Sequence, residues 1–360
     1  MIALRSGDFN RDGLPDVLVR KSGGLYVMLT QRGKGEGTVS LGSPTAVYTG
    51  STISDVVIAD LNGDGVLDIV TCDAGTNTLI ILPGKGDGTF DAPWTTSLTF
   101  PPRQLVVADF DGDGHPDVLV RTAPTTAFTI FRGGAGLQGF QLTQGPTTAL
   151  SASPYRAVAA DLDGDGKVDL LLGCASPVEY QVLFGKGDGT FETPLTLASG
   201  PSFAFDIALA DLDGDGLPDI VSCEFDSNTV TVVRNLGRRA FGSPVSTDVH
   251  GNSFHTNPTA LAVVDANNDG KPDVVTVLAN ASRAPSGVIS TLVGNGDGTF
   301  AAPVFFESNL LYVTEAMTAA DFTGDGLVDV VTWSAAAPWN YVTLLRSSPT
   351  GAPRHRGVHH

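Results

Sequence analysis

The nine residues Asp8-Phe-Asn-Arg-Asp-Gly-Leu-Pro-Asp16 contain a pattern that occurs seven times along the chain. The pattern is an Asp, then Asp, Asn or Thr two places later, an Asp-Gly pair and a closing Asp. It begins again at Asp60, Asp109, Asp161, Asp211, Asp265 and Asp321. Successive starts lie 49 to 56 residues apart, a period that indicates a stacked or radial array of repeats.

Each repeat reads as four short β-strands separated by turns. In the fourth repeat, Arg156-Ala-Val-Ala-Ala precedes the acidic loop, and the apolar runs Leu170-Leu-Leu-Gly173 and Glu179-Tyr-Gln-Val-Leu-Phe184 follow it. A fourth run, Thr193-Pro-Leu-Thr-Leu197, ends the repeat. Radially repeated four-stranded units of this length are propeller blades, whereas a β-helix needs shorter turns and a helical solenoid needs helices.

The composition agrees with one all-β domain. With 43 Gly, 22 Pro and 17% charged residues, the chain suits short strands joined by tight turns. We predict that residues 1–346 form a seven-bladed β-propeller of four-stranded antiparallel blades, which begin near residues 1, 53, 102, 154, 204, 258 and 314. Residues 347–360 either complete the last blade or form a loose C-terminal tail.

A second motif, Gly-Asp-Gly-Thr-Phe, recurs at residues 86–90, 187–191 and 296–300. Its glycines permit positive φ, so we predict a hairpin between the third and fourth strands. We expect the Phe to fill the gap between neighbouring blades.

The acidic loops carry hard oxygen ligands at alternate positions of a tight turn, as Ca²⁺ prefers. Unlike an EF-hand, each closes at position nine and is flanked by strand-like residues. We predict up to seven Ca²⁺ ions, with the seventh site weakest because Thr323 offers only a hydroxyl. The predicted ligands, with a backbone carbonyl at position seven, are Asp8, Asn10, Asp12, Leu14 and Asp16; Asp60, Asn62, Asp64, Val66 and Asp68; Asp109, Asp111, Asp113, His115 and Asp117; Asp161, Asp163, Asp165, Lys167 and Asp169; Asp211, Asp213, Asp215, Leu217 and Asp219; Asp265, Asn267, Asp269, Lys271 and Asp273; and Asp321, Thr323, Asp325, Leu327 and Asp329.

The formal charge of −18 disfavours nucleic acid and anionic membranes as partners. Much of it lies in the loops, where bound cations would neutralise it. No apolar run has the roughly 20 residues that cross a bilayer, and the start Met1-Ile-Ala-Leu-Arg lacks the apolar segment of a signal peptide. Cys72, Cys174 and Cys223 occupy equivalent places in their repeats and are expected to be buried thiols.

The repeats resemble the FG-GAP or VCBS family, typified by the seven-bladed propeller of integrin α subunits. Phe184-Gly185 preserves the namesake pair, while Pro83-Gly84, Arg132-Gly133 and Val293-Gly294 keep only its Gly. The resemblance covers residues 1–346 and implies bound calcium. It leaves the role open, because the family includes adhesion receptors, lectins and accessory domains of enzymes.

Ligand-binding residues are expected on the face opposite the metal loops, where connections vary most. The connections on that face that differ most from the repeat pattern in length span residues 250–258 and 279–287. Aromatic and amide side chains suit sugar rings or extended peptides. The candidates are Asn252, Phe254, His255, Asn257 and Trp339, followed by the stretch around Tyr155 and Phe203.

We therefore expect a noncatalytic, lectin-like or adhesive propeller that is secreted or displayed at the cell surface and binds a glycan or an extracellular protein. Two alternatives stay open: a polysaccharide lyase or hydrolase, and a structural repeat region of a larger surface protein. An enzyme would need a base and a charge stabiliser in one cavity, and only His250, His255 and Arg283 offer candidates, with no spacing that ties them together. No catalytic residue is assigned.

Overall fold

In the computed structural model of this protein, the described residues are 3–21, 23–34, 38–50, 52–122, 126–134, 140, 142–250, 255–280, 287–308, 314–336, 339–346 and 354–355. They form seven four-stranded sheets, each antiparallel, and one two-stranded hairpin. The protein is a seven-bladed β-propeller, as the repeat period predicts. No helix in the part of the chain that the structure describes is long and apolar enough to span a membrane.

Each blade is one sheet whose strands follow in chain order from the first to the fourth. Their bounds, from blade one to blade seven, are Ala3–Gly7, Asp16–Lys21, Gly24–Met28 and Thr45–Thr49; Ile53–Ala59, Asp68–Asp73, Thr78–Leu82 and Trp94–Ser97; Pro102–Ala108, Asp117–Thr122, Ala127–Arg132 and Thr143–Ala149; Ser153–Ala160, Asp169–Ser176, Val178–Leu183 and Leu195–Leu197; Ala204–Ala210, Asp219–Glu224, Thr229–Val233 and Val245–Asp248; His255–Val264, Asp273–Asn280, Gly287–Leu292 and Val304–Ser308; and Thr314–Ala320, Asp329–Ala336, Trp339–Arg346 and Arg354–His355. The extra hairpin of blade one pairs Thr30–Arg32 with Val39–Leu41.

The hydrophobic core is divided among the interfaces between blades. Seven clusters of buried side chains each join two neighbouring blades. The cluster between blades one and two contains Phe9, Leu18, Val56 and Ile80. Second and third strands are buried on both faces, which explains their nearly continuous apolar runs. The three cysteines lie in these strands as buried free thiols.

Blade seven packs directly against blade one and closes the ring. The Ser6 and Thr318 hydroxyls lie 2.7 Å apart across this junction, and one core cluster joins Leu4 to Trp333. The first strand, Ala3–Gly7, pairs within its own blade. The two-residue strand Arg354–His355 pairs with the third strand of blade seven. The first and last blades are therefore joined by packing across this junction.

The aromatic residues of the Gly-Asp-Gly-Thr-Phe hairpins fill gaps between blades, as predicted. The ring of Phe90 meets that of Phe9 edge-on at 5.7 Å, and Phe191 meets Phe110 at 6.0 Å. The same hairpins also bond to the preceding blade, since Gly189 N–H donates to the Phe110 carbonyl at 3.0 Å. Each hairpin therefore supports the acidic loop of the preceding blade.

Candidate metal centres

Every acidic loop connects the first strand of its blade to the second. Two backbone positions in each loop, the fourth and the sixth, have a left-handed conformation. In the second loop these are Gly63 and Gly65, with φ of 74° and 78°. Arg11 and Asn268 take the fourth position in the first and sixth loops, at φ of 60° and 61°. This requirement explains the sixth-position Gly that every loop keeps.

The first Asp of each loop shapes the turn by accepting backbone hydrogen bonds. Asp60 Oδ1 accepts the N–H of Gly63 at 2.8 Å, and Asp60 Oδ2 accepts that of Gly65 at 2.7 Å. The fifth-position Asp64 then accepts the N–H of Val66 at 2.7 Å. These short-range bonds fold the loop back on itself and bring its alternate side chains together.

The closing Asp joins the loop to the hairpin of the same blade. Asp68 is fully buried, and its two oxygens accept the N–H groups of Leu61 and Gly84, both at 2.9 Å. A Cβ on Gly84 would lie 2.2 Å from the Leu67 carbonyl oxygen, so a larger residue at Gly84 would require the backbone to shift, whereas blade five has Asn235 at the equivalent position. Each carboxylate oxygen accepts one hydrogen bond and retains a second lone pair that could face a cation. The ligand role of this Asp remains a prediction.

Burial perturbs the closing carboxylates. It raises the pKa of Asp16, Asp68, Asp117 and Asp169 to about 6, although the two backbone hydrogen bonds to each oppose the shift. Neighbouring loop carboxylates raise these pKa values further. A cation bound beside them would favour the charged form and remove this penalty.

Within the part of the chain that the structure describes, three loops bring carboxylate oxygens close enough to hold a metal ion. In each group the offered oxygens lie within 4.8 Å of one another. The groups are Asp109, Asp111 and Asp117; Asp161, Asp163 and Asp169; and Asp211, Asp213 and Asp215. An all-oxygen donor set in a flexible loop fits Ca²⁺. The remaining loops place Asn or Thr at position three, and their backbone hydrogen bonds follow the same plan.

The third-position Asp of these three loops also contacts an arginine, which sequence reasoning missed. Arg132 Nε lies 3.4 Å from Asp111, Arg239 Nε lies 2.6 Å from Asp163, and Arg234 pairs with Asp213. In the loops with Asn at position three, an uncharged amide takes the place of this carboxylate and bonds within the loop; Asn62 Nδ2 donates to Asp64 at 2.9 Å. An additional carboxylate is therefore accompanied by a guanidinium.

The structure describes only some of the predicted ligand-binding residues. Asn252 and Phe254 lie outside the described residues, as do the side chains of His255 and Trp339, whose backbones are in strands. The Asn257 amide donates to the Phe225 carbonyl at 2.7 Å. Tyr155 and Phe203 do meet, with ring centroids 5.4 Å apart. Arg283 of the enzyme alternative lies outside the described residues, and His250 is exposed.

The fold and the loops define a seven-bladed β-propeller with a repeated acidic loop in each blade. The profile described as FG-GAP-like repeat matches residues 8–71, 60–120, 161–222 and 211–276. These matches cover more than half of the chain, so the chain belongs to the FG-GAP-like repeat family. A search of curated proteins finds no match.

Many solved structures share this fold, and two serve as examples. One concerns specific recognition of non-reducing terminal N-acetylglucosamine by a lectin of Agrocybe aegerita; it is 19% identical over 93% of this chain and 85% of the other, with a TM-score of 0.59. The other is BBS1N in complex with ARL6DN, 8% identical over 98% and 93% of the two chains, with a TM-score of 0.62. At these identities the likeness concerns the fold alone.

Proposed function

We propose that this protein is a noncatalytic, calcium-stabilised propeller that recognises a glycan outside the cell. The observation that carries this proposal is the difference between the two faces of the ring. One face repeats a single loop design seven times, built from backbone bonds and acidic side chains. The other face carries arginine and aromatic side chains that do not repeat from blade to blade.

Calcium has a structural role in this proposal. The loops lie between strands and are bonded to the hairpins of their own and neighbouring blades. An ion in such a loop stabilises the interface between two blades as well as the turn itself. Open loop sites of this kind commonly need calcium above cytosolic levels, which supports a secreted or cell-surface location.

A glycan is favoured as the ligand by a row of three half-buried aromatic rings, two on the first strands of blades four and five and one just after the second strand of blade five. Tyr155 lies 5.7 Å from Phe205, which lies 5.5 Å from Phe225. Aromatic planes bind the C–H surface of sugar rings while neighbouring polar groups fix their orientation. The lectin with the same fold adds support, and a protein partner is the competing outcome.

A glycan array probed with the calcium-loaded protein and with the chelated protein tests this proposal. We expect binding to a defined set of glycans, lost on chelation when the fold loosens. An array with no positive glycan, together with specific capture of an extracellular protein, would reject glycan recognition. Release of cleaved or unsaturated products from a bound polysaccharide would reject the noncatalytic role in favour of a lyase or hydrolase.

Trp339→Ala tests the site predicted from the sequence. If Trp339 forms part of the site, affinity falls several-fold while the melting temperature and calcium content stay unchanged. Unfolding of the variant would show that the side chain belongs to the core. Unchanged affinity for a glycan identified on the array would place the site elsewhere on the ring.

A further inference from the structure

Part of the ring face opposite the acidic loops, in blades one to four, is rich in arginine. Here the first strands begin, and a cavity of about 440 Å³ is lined by Arg20, Arg103, Arg121 and Arg156 with one acidic residue, Asp55. Acidic residues outnumber basic residues in the whole chain, 39 to 21, whereas arginines outnumber acidic residues around this cavity. We call this cavity the arginine mouth.

Two of its arginines are held in place by the propeller itself. Arg20 Nη1 donates to the carbonyl of Ile53 at 2.7 Å, and only 6% of the residue is exposed. Arg156 Nε donates to the carbonyl of Phe205 at 3.1 Å and lies 3.5 Å from Asp206. Both guanidinium groups are positioned before any ligand arrives.

Arg103 and Arg121 differ from these two in the charges around them. Within the described residues, no carboxylate lies within ion-pair distance of Arg103 or Arg121, and Arg121 Nε is buried without a hydrogen-bond acceptor. Burial lowers the pKa of Arg121; Asp55 opposes that shift, and the charges of Arg103 and Arg156 add to it. An unsatisfied buried donor costs free energy that an anionic acceptor would recover.

The aromatic row borders this cavity. Tyr155 lines the arginine mouth beside Arg156 and is the first ring of the row that continues to Phe205 and Phe225. A free inorganic anion would use only the guanidinium groups, whereas a sugar ring with an acidic substituent uses both surfaces. A cavity of a few hundred Å³ is of the size that small ligands occupy in proteins.

We propose that the arginine mouth binds a carboxylate-bearing saccharide, with the sugar ring against Tyr155 and the carboxylate between Arg103 and Arg121. This inference rests on the proposed glycan recognition and specifies its ligand class as uronate-containing oligosaccharides. Guanidinium groups bind carboxylates through paired, charge-assisted hydrogen bonds. The strong net negative charge of the rest of the chain then favours short acidic ligands over extended polyanions.

The test compares uronate oligosaccharides with their methyl esters, which keep the sugar and remove the charge. Calorimetric titration at constant calcium should show binding of the acids, weakened at least about tenfold by esterification, the equivalent of one charge-assisted hydrogen bond. Arg103→Gln and Arg121→Gln should weaken binding by a similar factor. Because Arg103 is exposed, its variant keeps the test valid even if Arg121→Gln fails to fold.

Arg238→Gln is the matched control, since Arg238 is exposed on the hairpin of blade five, at the metal-loop face. It should leave affinity unchanged. If the glycans found on the array are neutral, or both mouth variants bind uronates normally, the inference is overturned while glycan recognition stands. If only acidic peptides bind, and the mouth variants abolish that binding, the proposed glycan recognition fails together with the ligand class.

Discussion

The guanidinium of Arg239 lies 2.6 Å from the carboxylate of Asp163, although the two residues belong to neighbouring blades. Arg239 also pairs with Glu192 at 2.8 Å and lies 4.2 Å above the centre of the Phe184 ring. It therefore connects the hairpin of blade five to the acidic loop of blade four. Without a bound cation, this contact offsets the repulsion among the four carboxylates of that loop.

Arg239→Gln should lower the melting temperature of the calcium-free protein by about 2 °C, the shift expected for about 1 kcal/mol in a domain of this size. The rise on adding calcium should become larger, because the ion then neutralises one more unpaired carboxylate. Differential scanning calorimetry with and without chelator measures both. Arg238→Gln removes an adjacent exposed charge and serves as the control; equal shifts in the two variants would show that the ion pair has no specific effect.

Calcium removal should destabilise the whole ring. Each site held at 100 times its dissociation constant contributes about 2.7 kcal/mol by mass action. We therefore expect a large fall in melting temperature on chelation, checked by thermal unfolding together with metal analysis. A melting temperature that is indifferent to chelator would contradict a structural role for the ions.

The seventh loop should release its ion first. The Thr323 hydroxyl donates weakly to Asp321, at 3.4 Å, and this position supplies no carboxylate. Thr323→Asp should raise calcium affinity at that site and lower the stability of the calcium-free protein, because the new charge has a buried position. Equilibrium dialysis of the two proteins measures the affinity. If the variant binds the same number of calcium ions with the same affinities as the parent protein, the seventh site is not limited by Thr323 and the ranking of sites is wrong.

Glu224 provides a pH-dependent contribution to stability that is remote from the metal loops. Its carboxylate is fully buried and accepts hydrogen bonds from Thr229 and Thr231 at 2.9 and 2.8 Å. Ser222 donates to it as well, and Ser222 itself accepts a bond from Tyr180 at 2.7 Å. Burial raises the pKa of Glu224 to about 7, against the effect of these hydroxyl donors.

Because the folded-state pKa exceeds the unfolded value, protonation favours the folded protein. The contribution is complete below the unfolded value of about 4.5 and is lost as the pH rises through about 7. It amounts to about 3 kcal/mol. Glu224→Gln removes this titration, so the difference in unfolding free energy between parent and variant should change by roughly that amount from about pH 4.5 to about pH 8.

Chemical denaturation at saturating calcium measures this difference, because bound ions keep the loop carboxylates charged throughout. Asp226→Asn, at an exposed position nearby, is the control for loss of a carboxyl group outside the buried hydrogen-bond network. If the unfolding free energies of the parent protein and Glu224→Gln change with pH in parallel, the carboxyl group does not titrate in this pH range.

Phe110 tests the packing between blades three and four. It is 2% exposed and contacts the Phe191 ring at 6.0 Å. Phe110→Ala should cost about 3–5 kcal/mol, because a large cavity opens in a core shared by two blades. Phe100→Ala, at a side chain that is 44% exposed, should cost less than about 1 kcal/mol. Denaturant unfolding with calcium measures both; similar costs would contradict the assigned core.

The repeat count and the loop conformation follow from short-range information in the sequence. Asp60 bonds to the backbone of Gly63 and Gly65 within the same turn, so the spacing of the motif was enough to predict it. The role of the Gly-Asp-Gly-Thr-Phe motif was equally local, since Asp188 accepts bonds from both the N–H and the hydroxyl of Thr190. Seven repeats of four strands then limited the architecture to one ring.

Contacts between residues that are far apart in the chain could not be predicted from the sequence patterns. Asp163 and Arg239 are 76 residues apart, and nothing in the pattern around either predicts that they pair. The bond from Gly84 to Asp68 also depends on how the hairpin returns to the loop. Arg103 and Arg121 lie on two paired strands of blade three, and Arg156 lies on the first strand of blade four, so the packing of these two blades brings them into one cavity.

The sequence by itself determined the number of blades, the strand order within each blade and the oxygen-rich loops, because these depend on periodicity and on hydrogen bonds between residues a few positions apart. The tertiary structure alone decided which charges meet, since blade-to-blade packing sets the distances between side chains that are far apart in the chain. The arginine mouth and the ion pair between Arg239 and Asp163 both depend on that packing, and both concern electrostatic interactions that act through space.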